Sequence, residues 1–481
     1  MSLPIASESN SPHVLVVGAG MAGLVAARLL QDAGLRVTVT EARGRLGGRT
    51  WTDDFAGVSI DLGASWIHDA DDNPLTEWCK TLGVPLSYTP SGRVRIYEPF
   101  DPRTGPRWID YAAAVRRGWR GMAAANLILG SAAARQVLTS RSGRRGAISL
   151  AQALEPLLNR AGSLPDFDQR LLGYLLSMAE GVEGAPYERI NLKSWFPHEA
   201  GAVNAMPVGG YRRLIDAAAQ GLTIRLNTPV RRVLHDADSV RLVTDADVLT
   251  GDAVIVTVPV SLLQQDLLGF EPALPRAWRA AVGRIGYGQG ASLNKIFLSF
   301  ARQFWPDIND RMISLPPTIK ARGLCVTWTN LRDLTGAPLL LSFTSGTNGA
   351  AGDLHRSDAA LTAIAIDSLR RILGPAVPEP SAVRITRWLS DPWARGSYSF
   401  SQVESHPADR LRYATPVHDR LYFAGEAASP AHYGTVHAAL LSGQHAAFQA
   451  LRRLAGIEPT IEHLPWRAYL ERHPRAVTEM T

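Results

Sequence analysis

The first residues with chemistry in them lie close to the start of the chain. In HVLVVGAGMAGLVAARLLQDAGLRVTVTEARGRLGGRT, Gly18, Gly20 and Gly23 fill the pattern G-x-G-x-x-G. Glu41 follows at the usual spacing of about 20 residues. Glycines at these places permit a tight turn, close backbone approach to a pyrophosphate, and close packing of a helix on a strand. The chemistry this implies is capture of a dinucleotide, with a helix N-terminus facing the phosphates and the Glu41 carboxylate accepting from ribose hydroxyls. Glu41 would repel a 2′-phosphate, which argues against NADP. RGRLGGRT follows at once: Gly47 and Gly48 offer bare backbone between Arg43 and Arg49, and Arg49 offers charge to a diphosphate.

Other groups are placed to act on a substrate. Lys295 interrupts the apolar run ASLNKIFLSF, and a buried lysine is costly unless it is paired or functional. The alternative is a lysine on an edge strand. LLSMAEGVEGAPYERINLKSW carries Glu180, Glu183 and Glu188, which read either as exposed loop acids or as carboxylates of a site. His68 stands in SWIHD, followed by Asp69, Asp71 and Asp72, an acidic entrance or a polar turn. DPWARGSYSF sets Trp393 and Tyr398 around an arginine, a glycine and a serine, either as a strand end with two buried rings or as one wall of a site.

Particular elements must position these groups. His13–Val17 and Arg36–Thr40 read as strands flanking a helix over Met21–Asp32. LYFAGEAASPAHYGTVHAALLSGQHAA reads as a second strand-turn-helix, with Gly425 and Glu426 ending the strand and Thr435 and Val436 starting the helix. The partial positive charge at that helix start suits a group that becomes anionic. Strand–helix alternation occupies residues 13–85, 203–285 and 385–455, which we expect to form one discontinuous dinucleotide-binding domain. The stretches 86–202 and 286–387 are expected to form an α+β substrate-binding domain, with 1–12 and 456–481 as tails.

The doubled glycine flanked by arginines resembles the signature of FAD enzymes of the glutathione-reductase-like class. Together with DLGASWIHDADDNP, MPVGGYRRLIDAAAQGLTIRLNTPVRRV, VIVTVPVSLLQ and DPWARGSYSF, it resembles the flavin-containing amine oxidase family: monoamine oxidases, polyamine oxidases and lysine-specific histone demethylases. The resemblance implies an α/β fold with a Rossmann-type FAD-binding domain. It also implies FAD contacts from Ala22, Ala42, Gly63, Ala64, Ser65, Trp66 and Val230, beside the glycines, Glu41, Arg43, Arg49, Thr435 and Val436 already named. By the same resemblance Glu426 holds the ribityl or diphosphate end of the flavin, Trp388 and Trp393 pack near its ring system, and Tyr398 is one wall of an aromatic cage. Such a wall desolvates an amine and tolerates residual positive charge. Lys295 matches a lysine that assists the reaction with oxygen, His68 a residue beside the substrate, and Glu180 a glutamate of the active site.

Two departures narrow the expectation. The flavin-bonding cysteine of monoamine oxidases is replaced by Ser397, which implies noncovalent FAD, and their second cage tyrosine aligns with Thr435, which implies a one-sided cage. A polyamine such as spermine or spermidine, or an acetylated form, is the expected substrate, with O2 as acceptor and H2O2 as product. The rivals are an L-amino-acid oxidase or monoamine oxidase of similar fold, a carotenoid or porphyrinogen desaturase, and a flavin-binding interaction protein without turnover.

Composition agrees with an ordinary globular enzyme: 481 residues, 46% hydrophobic and 20% charged. No apolar run is long enough to span a bilayer, and the N-terminus lacks the features of a secretory signal. Cys79 and Cys325 are the only cysteines, too few for a disulfide scaffold or a four-thiolate metal site, and consistent with a cytoplasmic protein. Net charge is +6, but the basic residues are scattered. The densest cluster, Arg141, Arg144 and Arg145, reads as a solvated face rather than a nucleic-acid patch. A monomer or homodimer is expected.

Overall fold

A computed structural model describes residues 11–89, 94–101, 105–110, 147–195, 203–306 and 311–478. The cluster Arg141, Arg144 and Arg145 lies outside the described residues, as do residues 1–10 of the expected N-terminal tail.

The central element is the strand His13–Val17, whose residues from Val14 on are all buried. A continuous apolar run of this kind belongs in the middle of a parallel sheet, covered on both faces. It pairs in parallel with Ala253–Val256 on one side and Arg36–Thr40 on the other, and Leu421–Phe423 and Ile224–Arg225 complete five strands. This is the Rossmann-type parallel sheet of an α/β fold. Gly18, Glu41, Thr257 and Gly425 therefore share one edge, where such sheets bind ligands beyond the C-terminal ends of their strands.

Two helices cover one face. Met21–Asp32 packs against Val436–Ala450, and both are rich in alanine, with one glycine each. A Cβ at Gly443 would lie 2.2 Å from the carbonyl oxygen of Ala22, so the close approach depends on that glycine. The other face packs on a four-stranded sheet, Val248–Gly251, Val240–Thr244, Val230–His235 and Gly269–Glu271.

A seven-stranded sheet is built from Ala382–Ile385, Asn294–Ser299, Leu339–Thr344, Leu324–Asn330, Arg311–Ser314, Val94–Asp101 and Gly105–Asp110. Asn294–Ser299 lies between two antiparallel neighbours and is buried throughout. Lys295 is thus an interior residue, not an edge one. The helix Asp166–Glu183 packs near this sheet and stops at Gly184, whose φ of 61° is a left-handed C-cap.

One expectation is corrected. Within the expected tail 456–481, the described residues 456–478 are not free: Leu464, Trp466, Tyr469, Leu470 and Ala476 are buried in the core beside the two alanine-rich helices. Trp466 packs on Trp78 with ring centres 5.3 Å apart and donates its Nε1–H to Gln444 Oε1 at 2.6 Å. Arg472 and His473 both bond the Asp72 carboxylate.

Among the described residues no helix is long and apolar enough to cross a membrane. Trp466→Ala should lower stability by about 3–5 kcal/mol through cavity formation. Arg472→Ala, at an exposed ion pair, should cost less than about 1 kcal/mol. Urea unfolding of the two variants measures the contrast, and a Trp466→Ala protein as stable as wild type would show that the segment only rests on the surface.

Candidate active site

A cavity of about 810 Å³ opens over the C-terminal edge of the parallel sheet. The residues named from the sequence as catalytic or cofactor-binding candidates line it, except Gly23 and Glu180, and of the other acids named there Glu188, Asp71 and Asp72 do not. Gly23 works from behind: a Cβ there would sit 2.0 Å from the Gly18 carbonyl oxygen, so its absence lets the helix close on the turn. Gly18 has a φ of +105°, and Thr257 Oγ1 donates to Val17 O at 2.9 Å behind it. Glu41 accepts from Ala19 N and Arg43 N, each at 2.9 Å. A carboxylate has about four acceptor sites, so Glu41 keeps capacity for ribose hydroxyls. Gly425, at φ +137°, has open space where a side chain would be. Bare backbone, a helix N-terminus, a carboxylate with capacity to accept and nearby arginines together fit a dinucleotide.

Glu426 departs from the expectation that it holds the cofactor directly. Oε1 accepts from Arg49 Nη1 at 2.7 Å and Ser399 N at 3.1 Å, and Oε2 accepts from Ser399 Oγ and Gly434 N, both at 2.7 Å. Protein donors fill its acceptor sites. Arg49 also donates to Tyr287 Oη at 3.0 Å and Ser397 O at 3.3 Å. The pair fixes the cavity wall, and the charges of Arg49 and Arg410 hold the Glu426 carboxyl below its usual pKa against the opposing effect of burial.

The stretch Asp391–Phe400 runs along the cavity instead of lying on one side of it. Asp391 pairs with Arg43, and the Arg231 guanidinium stands 5.6 Å over the Trp393 ring. Thr228 N, on the approach to Arg231, donates to Glu41 O at 2.8 Å. Trp393 therefore sits toward the Glu41 end of the cavity. Trp388 is buried edge-on to Trp51, its turn fixed by the Asp353 carboxylate, which accepts from Leu389 N and Ser390 N. At the far end Tyr398 Oη donates to Gly181 O at 2.6 Å, in the last turn of Asp166–Glu183. A Cβ at Gly184 would lie 2.8 Å from the Tyr398 ring.

Of the acids on that helix, Glu180 is not part of the cavity lining. Its Oε1 accepts from Arg322 Nε at 3.0 Å, and Arg322 also reaches Glu188 at 3.1 Å. Glu183 lines the cavity, buried, at 3.4 Å from Ser401 N and from the Tyr433 hydroxyl. Burial pushes its pKa up to about 7 against the opposing effects of the Ser401 N–H and the Arg410 charge. Thr435 caps the helix Val436–Ala450 by accepting from Ala438 N. Two residues earlier, Tyr433 contributes a second ring to the cavity, with the buried Arg410 guanidinium 3.9 Å over it. The expectation of a single tyrosine is corrected on that point. His68 and Asp69 are exposed residues of the lining, and His68 Nδ1 lies 2.9 Å from Asn204 Oδ1.

Residues 21–451 match the family model described as flavin containing amine oxidoreductase. Polyamine oxidase 4 of Oryza sativa subsp. japonica is 34% identical over 460 residues, spanning 93% of this chain and 90% of the relative. Polyamine oxidase 2 of Arabidopsis thaliana is 33% identical over 450 residues, 92% and 88% of the two chains. Lysine-specific histone demethylase 1 homolog 1 of Oryza sativa subsp. japonica is 32% identical over 466 residues, covering 92% of this chain but 52% of its own length. A solved structure of putrescine oxidase bound to putrescine shares the fold, with TM-score 0.70 and 22% identity over 92% of this chain and 99% of that one.

Gly184→Ala forces a side chain into a left-handed conformation and against Tyr398, and should cost roughly 1–3 kcal/mol. Gly181→Ala, inside the helix with open space around it, should be stabilising by about 0.5–1 kcal/mol. Thermal unfolding of both variants decides; equal effects would remove Gly184 from the positioning of Tyr398.

Proposed function

The chain belongs to the flavin-containing amine oxidoreductase family, and from that premise we propose that it oxidises a C–N bond of a polyamine. It is an FAD-dependent amine oxidase; the proposal concerns the substrate, the electron acceptor and the residues that serve them. The observation that carries it is Glu183, a buried carboxyl in the cavity whose contacts are long and leave it able to accept strong hydrogen bonds. A polyamine keeps its remote nitrogens protonated, and an ammonium in a low-dielectric site calls for a carboxylate. Asp69 adds a second acid at the exposed part of the lining.

The cavity arginines argue against an α-amino acid. Among the described residues, Arg43 pairs with Asp391, Arg49 with Glu426 and Arg231 with Asp245, and Arg395 bonds Gln265. Each is engaged elsewhere, so none is placed to clamp a carboxylate beside Tyr398.

When bound, FAD would supply the acceptor for hydride from the carbon next to nitrogen and the electrons that reduce oxygen. The Tyr398 and Tyr433 rings exclude water from that carbon. Glu183 holds a distal ammonium and thereby sets which carbon is presented. Lys295 stabilises the negative charge that develops on oxygen as it is reduced to H2O2. The imine product hydrolyses to an aldehyde and a shorter amine. Ser397 cannot form a thioether, and its Oγ accepts from Leu293 N at 3.1 Å, which favours noncovalent FAD.

Purified protein should release peroxide from spermine or spermidine in preference to monoamines and α-amino acids. Glu183→Gln should weaken polyamine turnover by roughly 5- to 150-fold, equivalent to 1–3 kcal/mol for an ammonium left unpaired, with a smaller loss for any monoamine. Holding a cation needs Glu183 ionised. Polyamine KM should therefore fall as pH rises through about 7, and this dependence should vanish in Glu183→Gln. Equal losses for mono- and polyamines would refute the assignment. Acid precipitation should leave all the flavin in the supernatant; yellow colour in the washed pellet would show a covalent link.

A further inference from the structure

The turn that follows the hairpin Thr52–Phe55 and Val58–Asp61 closes around the Lys295 ammonium. All three of its N–H groups are engaged there. The Asp61 carbonyl accepts at 2.8 Å, and the Gly63 carbonyl and Ser65 Oγ accept more closely still. The turn has little room to slide: a Cβ at Gly63 would lie 1.8 Å from the Arg49 carbonyl oxygen, and Ala64 N donates to that oxygen at 3.1 Å. The Asp61 carboxylate is anchored too, with Oδ1 accepting from Thr52 Oγ1 at 2.5 Å and from Tyr211 N at 3.1 Å. Asp61 and Lys295 are both buried.

We infer that Asp61 is a positioning residue for Lys295, fixing the ammonium through its carbonyl and sustaining its charge through its carboxylate. The inference rests on the reading of Lys295 as the group that assists oxygen. Three acceptors already saturate the ammonium, so the turn that supplies them decides where the charge stands. The Trp66 and Phe297 rings stand 5.5 and 5.9 Å from Nζ, and the Asp61 carboxylate, its Oδ1 turned to Thr52 and Tyr211, acts on the lysine by charge across the hairpin turn. Arg212, from the helix Arg212–Ala219, acts on Asp61. Burial lowers the lysine pKa and the Asp61 charge opposes it, while burial raises the aspartate pKa and the Thr52 hydroxyl, Lys295 and Tyr211 N–H oppose that. Each charge favours the other against the effect of burial. Removing the carboxylate should let Lys295 lose its proton at lower pH.

The test uses the holoenzyme, reduced anaerobically by amine and mixed with oxygen at a series of pH values. In wild type the rate of flavin reoxidation should fall as pH rises through the lysine pKa. In Asp61→Asn the inflection should move down by about one pH unit or more. The visible absorbance of the oxidised, substrate-free enzyme, titrated over the same range, should show the same displacement, which loss of a purely structural contact would not produce. Thr52→Val removes one bond that favours the ionised aspartate, so it should shift both inflections the same way by less; it decides the matter if Asp61→Asn does not fold. Lys295→Met should abolish the inflection. If Lys295→Met keeps the wild-type profile, the oxygen-side reading of Lys295 is wrong. If Lys295→Met loses the inflection but Asp61→Asn and Thr52→Val leave it where it was, the reading stands and the inference about Asp61 is overturned.

Discussion

The Glu426 carboxylate is the point on which the rest of the cavity depends. It is 6% exposed and takes four hydrogen bonds from three stretches of chain far apart in sequence. An ionised carboxylate in such a place is tolerated only while its donors stay in position. Arg49 brings the glycine-rich loop, Ser399 brings the aromatic strand end, and Gly434 brings the start of the second helix. A shift in any one would leave a buried charge short of a partner. The shape of the cavity is therefore held by charge as well as by apolar packing.

The same reasoning orders the substrate-side wall. Tyr398 is tied to the last turn of Asp166–Glu183, and that turn ends where glycine alone fits beside the ring. Because Glu183 is in the same turn, tyrosine and acid are placed together. Arg410 stands over Tyr433 and bonds Ser399 Oγ at 2.8 Å, which connects this wall to the Glu426 centre.

Local features were legible in the sequence. The glycine turn and the bounds of its two strands and helix follow from short-range rules about Cβ space and apolar runs, and the same kind of reading picks out Lys295 as a charge in an apolar strand. Long-range partners were not legible. Glu180 and Glu183 lie three residues apart, which on a helix of 3.6 residues per turn turns them about 60° from one another. That small difference sends one to Arg322 and the other into the cavity, and nothing local distinguishes them. The surroundings of Trp393 were equally hidden, because Arg231 and the Arg43–Asp391 pair are remote in sequence or come together only in the fold. Tyr433 was hidden by an alignment that runs through Thr435. The C-terminal segment read as a tail because its five buried side chains are diluted by charged ones that face solvent.

The strand order of the parallel sheet has a consequence for how the protein comes into being. His13–Val17 is flanked by Arg36–Thr40, which leaves the ribosome soon after it, and by Ala253–Val256, which leaves far later; Leu421–Phe423 pairs beyond that. One side of the first strand thus waits for roughly 240 further residues to be made before its partner appears, and closing so long a loop is slow. An unpaired apolar edge in a nascent chain is a hazard for association. Yield in the cell then depends on what shelters that edge during synthesis, and the binding cleft cannot take its finished form until translation has passed the last strand.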